Sequence, residues 1–205
     1  MPKTPDKLIP PFLALHRHHW KARAMLQKDF KEIFIAEMIS ISGSLIAGTL
    51  LAIYIKQILL IPGLLILLPG FLEMRGNISG ALAARFGTAL DTKQIPARIK
   101  NNEFVRQNIL ATFAEALLIA LSLAAVAFFV TYFIFGVATL NIFLIALIAA
   151  IISNLIEAAL TTYTTFLLFR KGYDPNNIMG PYITTTGDII SIFSLLFAII
   201  VVSWL

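Results

Sequence analysis

Five long apolar segments decide what this chain can fold into. They run from about Glu32 to Ile55, Ile58 to Arg85, Ile109 to Phe135, Leu140 to Phe169 and Ile178 to Leu205. Each is long enough for a helix to cross a ~30 Å hydrocarbon core at ~1.5 Å per residue. Lipid offers no partner to a bare backbone, so segments of this kind cross as helices. The reading is an all-α membrane protein with five transmembrane helices. Composition agrees, with 59% hydrophobic and 13% charged residues and a mean hydropathy of +0.86. Soluble domains average about 25% charged residues. The absence of cysteine excludes disulfides and thiolate metal sites.

The charges then orient the chain. A pI near 9.6 raises the possibility of nucleic acid, but the placement of the basic residues argues for a membrane surface. Of 16 Lys and Arg, seven precede residue 32, five lie from Arg85 to Arg106, and two are Arg170 and Lys171. With five crossings these clusters share one side. The positive-inside pattern makes that side the cytoplasm, with the N-terminus inside and the C-terminus outside. Met1 to Lys31 lacks a sustained apolar core, so no signal peptide is expected there. Residues 1–31 are read as a cytoplasmic tail and a basic amphipathic helix, about Phe12 to Phe30, lying on the inner leaflet. Residues 32–205 are read as the transmembrane domain. His16, His18 and His19 invite a metal site. His18 and His19 point to different helix faces, however, and no carboxylate stands at ligand spacing beside them.

Beyond Glu32 at the edge of the first, each span carries one carboxylate: Glu37, Glu73, Glu115, Glu157 and Asp188. An ionisable group inside a span is costly and marks a candidate functional site. In the first span Ser40, Ser44 and Gly48 form a small and polar stripe after Glu37, which itself is able to snorkel or pair. The second span contains Pro62-Gly63 and Pro69-Gly70, two pairs expected to interrupt its hydrogen-bond ladder. Glu73, Asn77 and Gly80 share its face, whereas Arg75 points away and is expected to pair across helices or cap a carbonyl. Asn77 serves equally well as an interhelical hydrogen bond or as a functional group. In the third span Glu115, Thr112 and Ser122 share a face. In the fourth, the stripe is Asn154, Glu157, Thr161 and Thr165 (or Thr164). The fifth starts near Ile178, with Pro181 in its first turn, and carries Thr184, Asp188, Ser191 and Ser194.

Depth brings some of these groups together. Asn77 lies ~12 Å and Asp188 ~10–15 Å above the inner face, and Glu115 falls near the same level. Oxygen ligands without Cys point to a hard cation. An odd number of spans is naturally doubled by a two-fold axis. A lone carboxylate, so doubled, suits an ion that keeps several waters, as Mg²⁺ does. No Walker loop, His-Glu-x-x-His or Gly-x-Ser-x-Gly is present. Ala84 to Asp91 is faintly similar to the motif of membrane CDP-alcohol phosphotransferases, without its preceding Asp-Gly and later paired aspartates. The chain is not read as an enzyme.

Two stretches resemble a known family. Arg75-Gly76-Asn77 through Ala83-Ala84-Arg85 is similar to the Lys-Gly-Asn…Ala-Ser-Arg motif of animal solute carriers related to the MgtE magnesium channels. It is more distantly similar to the Gly-Gly-Asn-Ala-Gly of bacterial MgtE. Asp174-Pro175-Asn176-Asn177-Ile178, Gly180-Pro181, the threonine run and Gly187-Asp188 resemble the opening of that family's last helix. The resemblance covers about Glu32 to Leu205. It implies a homodimer whose pore is lined by the second and fifth helices, with Asp188 in the place of the ion-selecting acid and Asn77 in that of the pore asparagine. The expectation is a half-size form without the cytoplasmic magnesium-sensing domains of bacterial MgtE, so their gating is not carried over.

The expected function is divalent-cation transport across the plasma membrane. Mg²⁺ is the first choice, and Mn²⁺, Co²⁺ and Ca²⁺ are the alternatives. The ion-pathway residues are Asp188, Asn77, Thr184, Thr185, Glu73 and Glu115. Secondary candidates are Glu157, Asn154, Asp174, Gly76 and Gly80. The expected partners are a second copy, the bilayer and the cation, with no nucleic acid. A proton- or sodium-coupled exchanger is the first rival, and a non-transporting membrane scaffold or enzyme is the second.

Overall fold

The computed structural model describes residues 11–204, with side chains described from Leu26 onward. All regular structure among the described residues is helical: α1 (Pro11–Leu59), α2 (Leu64–Asp91), α3 (Glu103–Phe135), α4 (Asn141–Arg170) and α5 (Pro175–Ser203). The Leu26–Leu59 part of α1, and α3, α4 and α5, are long and apolar enough to cross a membrane. The protein is a multi-pass membrane protein. Glu73, Arg75 and Asn77 lower the apolarity of α2 at its middle, yet its 28 residues have the length to cross.

The helix boundaries have local causes. Gly63 stands at φ 85° in the turn before α2, and a Cβ there would lie 2.6 Å from Thr131 Oγ1. Only glycine meets both demands at low cost. Asn102 caps α3 by accepting from the Val105 N–H at 3.3 Å. Gly136, at φ 68°, ends α3 in a left-handed turn. Asp174 caps α5 through the Asn176 N–H at 2.9 Å, and Pro175 takes the first helical position.

Three sequence expectations change here. The amphipathic segment and the first span are one unbroken helix of 49 residues. No glycine or proline stands between Phe12 and Ser42 to end it. The histidine side chains at 16, 18 and 19 lie outside the described ones. Pro62-Gly63 is a turn rather than part of a span, and Pro69 is carried inside α2 without ending it. Pro181 lies beyond the first turn of α5, because Pro175 starts the helix earlier.

α5 packs on α4, α1 and α2, while α2 packs on α5, α3 and α4. α1 lies mainly against α5 and scarcely touches α2, its neighbour in sequence. The buried stripe on α1 is Ser40, Gly43 and Ala47, one step round from the expected Ser44 and Gly48. Gly43 seats the Thr185 methyl directly against its Cα, a small-residue approach suited to packing in lipid. Thr185 Oγ1 also hydrogen-bonds Ser40 Oγ at 2.9 Å.

Two larger apolar cores form, beside a small cluster of Ala83, Met179 and Ile183. One joins Leu64 to Ile78 of α2 with the alanines of α3, residues 142–150 of α4 and Leu195 to Val202 of α5. The other gathers Leu82, Phe86 and Leu90 of α2 with Val105, Ala158 and Phe166. Between them on α4 lies a layer of buried polar residues: Ser153, Asn154, Glu157 and Thr161. At one end of the bundle, Lys28 reaches the Gly172 carbonyl at 3.3 Å. There Asn177 donates to Asp29 and Glu32, each at 3.3 Å, and Asn176 donates to Asp91 at 3.3 Å. This end therefore gathers the basic clusters around Lys28, Arg98 and Arg170.

Candidate cation site

α2 and α5 each turn one helical stripe toward a shared groove of about 340 Å³. The α2 stripe is Pro69, Leu72, Glu73, Gly76, Asn77 and Gly80. The α5 stripe is Gly180, Ile183, Thr184 and Asp188. Gly76, Gly80 and Gly180 have open space where a Cβ would stand, so they widen the groove. Six waters occupy ~180 Å³ at ~30 Å³ each, so a hydrated or partly hydrated cation fits. Glu73, Asn77, Gly180 and Thr184 are exposed and Asp188 is half-buried, which leaves the groove open along one side of the protomer.

The donor set is oxygen-rich. Asp188 and Glu73 bring two carboxylates whose charges repel one another. Asn77 Nδ2 donates to Glu73 Oε1 at 3.2 Å, which leaves its own carbonyl oxygen free to accept. Thr184 Oγ1 donates to the Gly180 carbonyl at 3.1 Å and keeps lone pairs toward the groove. This is the chemistry of a hard divalent ion that retains waters. Among the described residues, no group of three His, Asp or Glu could enclose a metal ion.

Behind the groove stands a buried ion pair. Arg75 Nε and a terminal nitrogen donate to Glu157 Oε2 at 2.8 and 2.6 Å. The other terminal nitrogen donates to Asn154 Oδ1 at 3.1 Å. Arg75 and Glu157 are fully buried. Glu157 Oε1 faces Gly187, where a Cβ would lie 2.5 Å from it.

The structure brings together Asp188, Asn77, Thr184, Glu73, Gly76 and Gly80 and separates the other candidates from them. Thr185 points to α1. Glu115 lies on an exposed face of α3. Glu157 and Asn154 serve Arg75, and Asp174 caps α5. Sequence reasoning omitted Pro69, Leu72, Gly180 and Ile183. Extending the Glu73 stripe back one turn and the Asp188 stripe back two would have reached them.

Residues 68–198 match the family model of the MgtE divalent cation transporters. The chain belongs to the MgtE family. A comparison with curated proteins finds no match. The matched segment contains every groove residue from Pro69 to Asp188 and the whole Arg75–Glu157 pair. MgtE proteins transport divalent cations; they are transporters rather than enzymes, and the cation is this chain's cargo.

Proposed function

We propose that this MgtE-family protein carries Mg²⁺ across the plasma membrane through a pore closed between two copies. The observation that carries this reading is the single groove holding Asp188, Glu73, Asn77 and Thr184. Asp188 binds the partly hydrated ion, Thr184 and backbone carbonyls assist, and Asn77 orients its waters. α2 crosses the membrane as a fifth span, and its polar stripe faces the pathway rather than lipid. A groove open on one side of a protomer becomes a conduit when a second copy faces it, which doubles the carboxylates on a two-fold axis. The basic end of the bundle lies in the cytoplasm.

A coupled exchanger is the competing reading, and Glu73 beside Asp188 is the observation that favours it. Purified protein in liposomes containing a Mg²⁺-sensitive dye separates the two. The expected result is Mg²⁺ uptake that persists without a proton or sodium gradient and survives Glu115→Gln. Uptake that requires either gradient would make the protein a carrier, and absence of uptake would remove the transport reading.

A further inference from the structure

We infer that Arg75 and Glu157 are positioning residues for the cation pathway, acting through α4 to fix the separation of α2 from α5. The inference rests on the groove being the pathway. Arg75 belongs to α2, two residues from both Glu73 and Asn77, and points away from the groove. One oxygen of Glu157 receives two Arg75 hydrogen bonds. The other oxygen lies against Gly187, the residue before Asp188. One carboxylate therefore touches α2 on one side and α5 on the other, immediately behind the residues that face the ion. Asn154 holds the free end of the guanidinium, so Arg75 cannot swing without breaking three hydrogen bonds.

The spacing at this level is set by a carboxylate against a bare Cα. A side chain at position 187 would push α5 outward and carry Asp188 with it. An apolar layer would hold the helices together too, but soft side chains fix distance less sharply than a planar, doubly hydrogen-bonded pair. Helix–helix distance matters here because recognition of a small ion depends on how closely oxygens converge. Mg²⁺ prefers ~2.1 Å contacts and near-octahedral geometry, while Ca²⁺ accepts ~2.3–2.6 Å in looser shells.

The test uses the full chain, whose lack of cysteine permits clean spin labelling at Ala84→Cys on α2 and Phe193→Cys on α5. Doubly labelled protein, diluted with unlabelled, is measured by pulsed electron resonance in three backgrounds: wild type, Arg75→Gln/Glu157→Gln and Gly187→Ala. Mg²⁺ and Ca²⁺ uptake is measured in parallel. The double variant is the primary background because it leaves no buried charge, and Gly187→Ala is the second should the double variant fail to fold. The expected result is a shifted or broadened α2–α5 distance together with a Mg²⁺-over-Ca²⁺ flux ratio about tenfold lower, ~1.4 kcal/mol of discrimination. An unchanged distance overturns the inference, as does a changed distance with an unchanged ratio. A shifted distance in a protein whose wild type carries no cation supports the brace and removes the transport reading instead.

Discussion

Asp188→Asn is expected to lower Mg²⁺ uptake at least about a hundredfold, ~2.7 kcal/mol of lost ion stabilisation. The substitution keeps the shape of the side chain and removes its charge. A cation leaving bulk water gives up part of its hydration, and the walls of the pathway must replace it. Two unit charges ~4 Å apart attract by ~4 kcal/mol at an effective dielectric of ~20, far more than a neutral amide oxygen returns. In a dimeric pore both copies lose the charge at once. Glu73 faces the same groove but is exposed and engaged by Asn77, so it does not substitute. Asp188 is half-buried beside open space, so the amide brings no packing defect. The variant is therefore expected to purify and unfold thermally as the wild type does. Wild-type uptake rates in Asp188→Asn, with equal protein in the liposomes, would contradict the role given to this residue.

Glu157→Gln alone is expected to destabilise the fold by about 3–5 kcal/mol, the usual cost of stranding one charge of a buried pair. Arg75 is fully buried and satisfied only by Glu157 and Asn154. Removing its counter-charge leaves a guanidinium in a layer closed above and below by apolar cores. Arg75→Gln in the same background is expected to restore most of the loss, since two neutral amides need no counter-charge. Thermal unfolding in detergent measures both. A single variant as stable as wild type would show that the layer admits water freely and that the pair does not define it.

The groove was legible because its residues repeat at helical spacing. Glu73, Asn77 and Gly80 lie on one face of α2 by arithmetic alone, and the rise per residue sets Asn77 level with Asp188. That α2 and α5 meet was legible only through resemblance, since nothing in either helix names its partner. The Arg75–Glu157 pair joins residues 82 apart in sequence. Sequence left Arg75 to pair across helices or to cap a carbonyl, and packing alone chose among the partners. Depth alone does not place Glu115, because equal height says nothing about which way a side chain turns, and Glu115 lies on an exposed face of α3. Thr185 turns toward α1 for a similar reason. It follows Thr184 by one residue, and one residue is ~100° on a helix, enough to move a hydroxyl from the groove to the α1 contact. The unbroken α1 is hard to read from sequence because its composition changes from basic to apolar while its helix continues. No helix-ending residue marks that boundary.

Blocking the groove between α2 and α5 tests directly whether cations travel through it. A protein with no native cysteine gains one at Thr184, which lines the groove, or at Phe193, which is exposed on α5 outside it. Each variant is reconstituted and treated with a bulky, charged thiol reagent before Mg²⁺ uptake is recorded. The reagent is expected to stop uptake in Thr184→Cys, to leave Phe193→Cys and the wild type unaffected, and to act more slowly on Thr184→Cys when Mg²⁺ is present. Full labelling of Thr184→Cys with undiminished uptake would contradict passage through the groove, because the cation would then be crossing somewhere else.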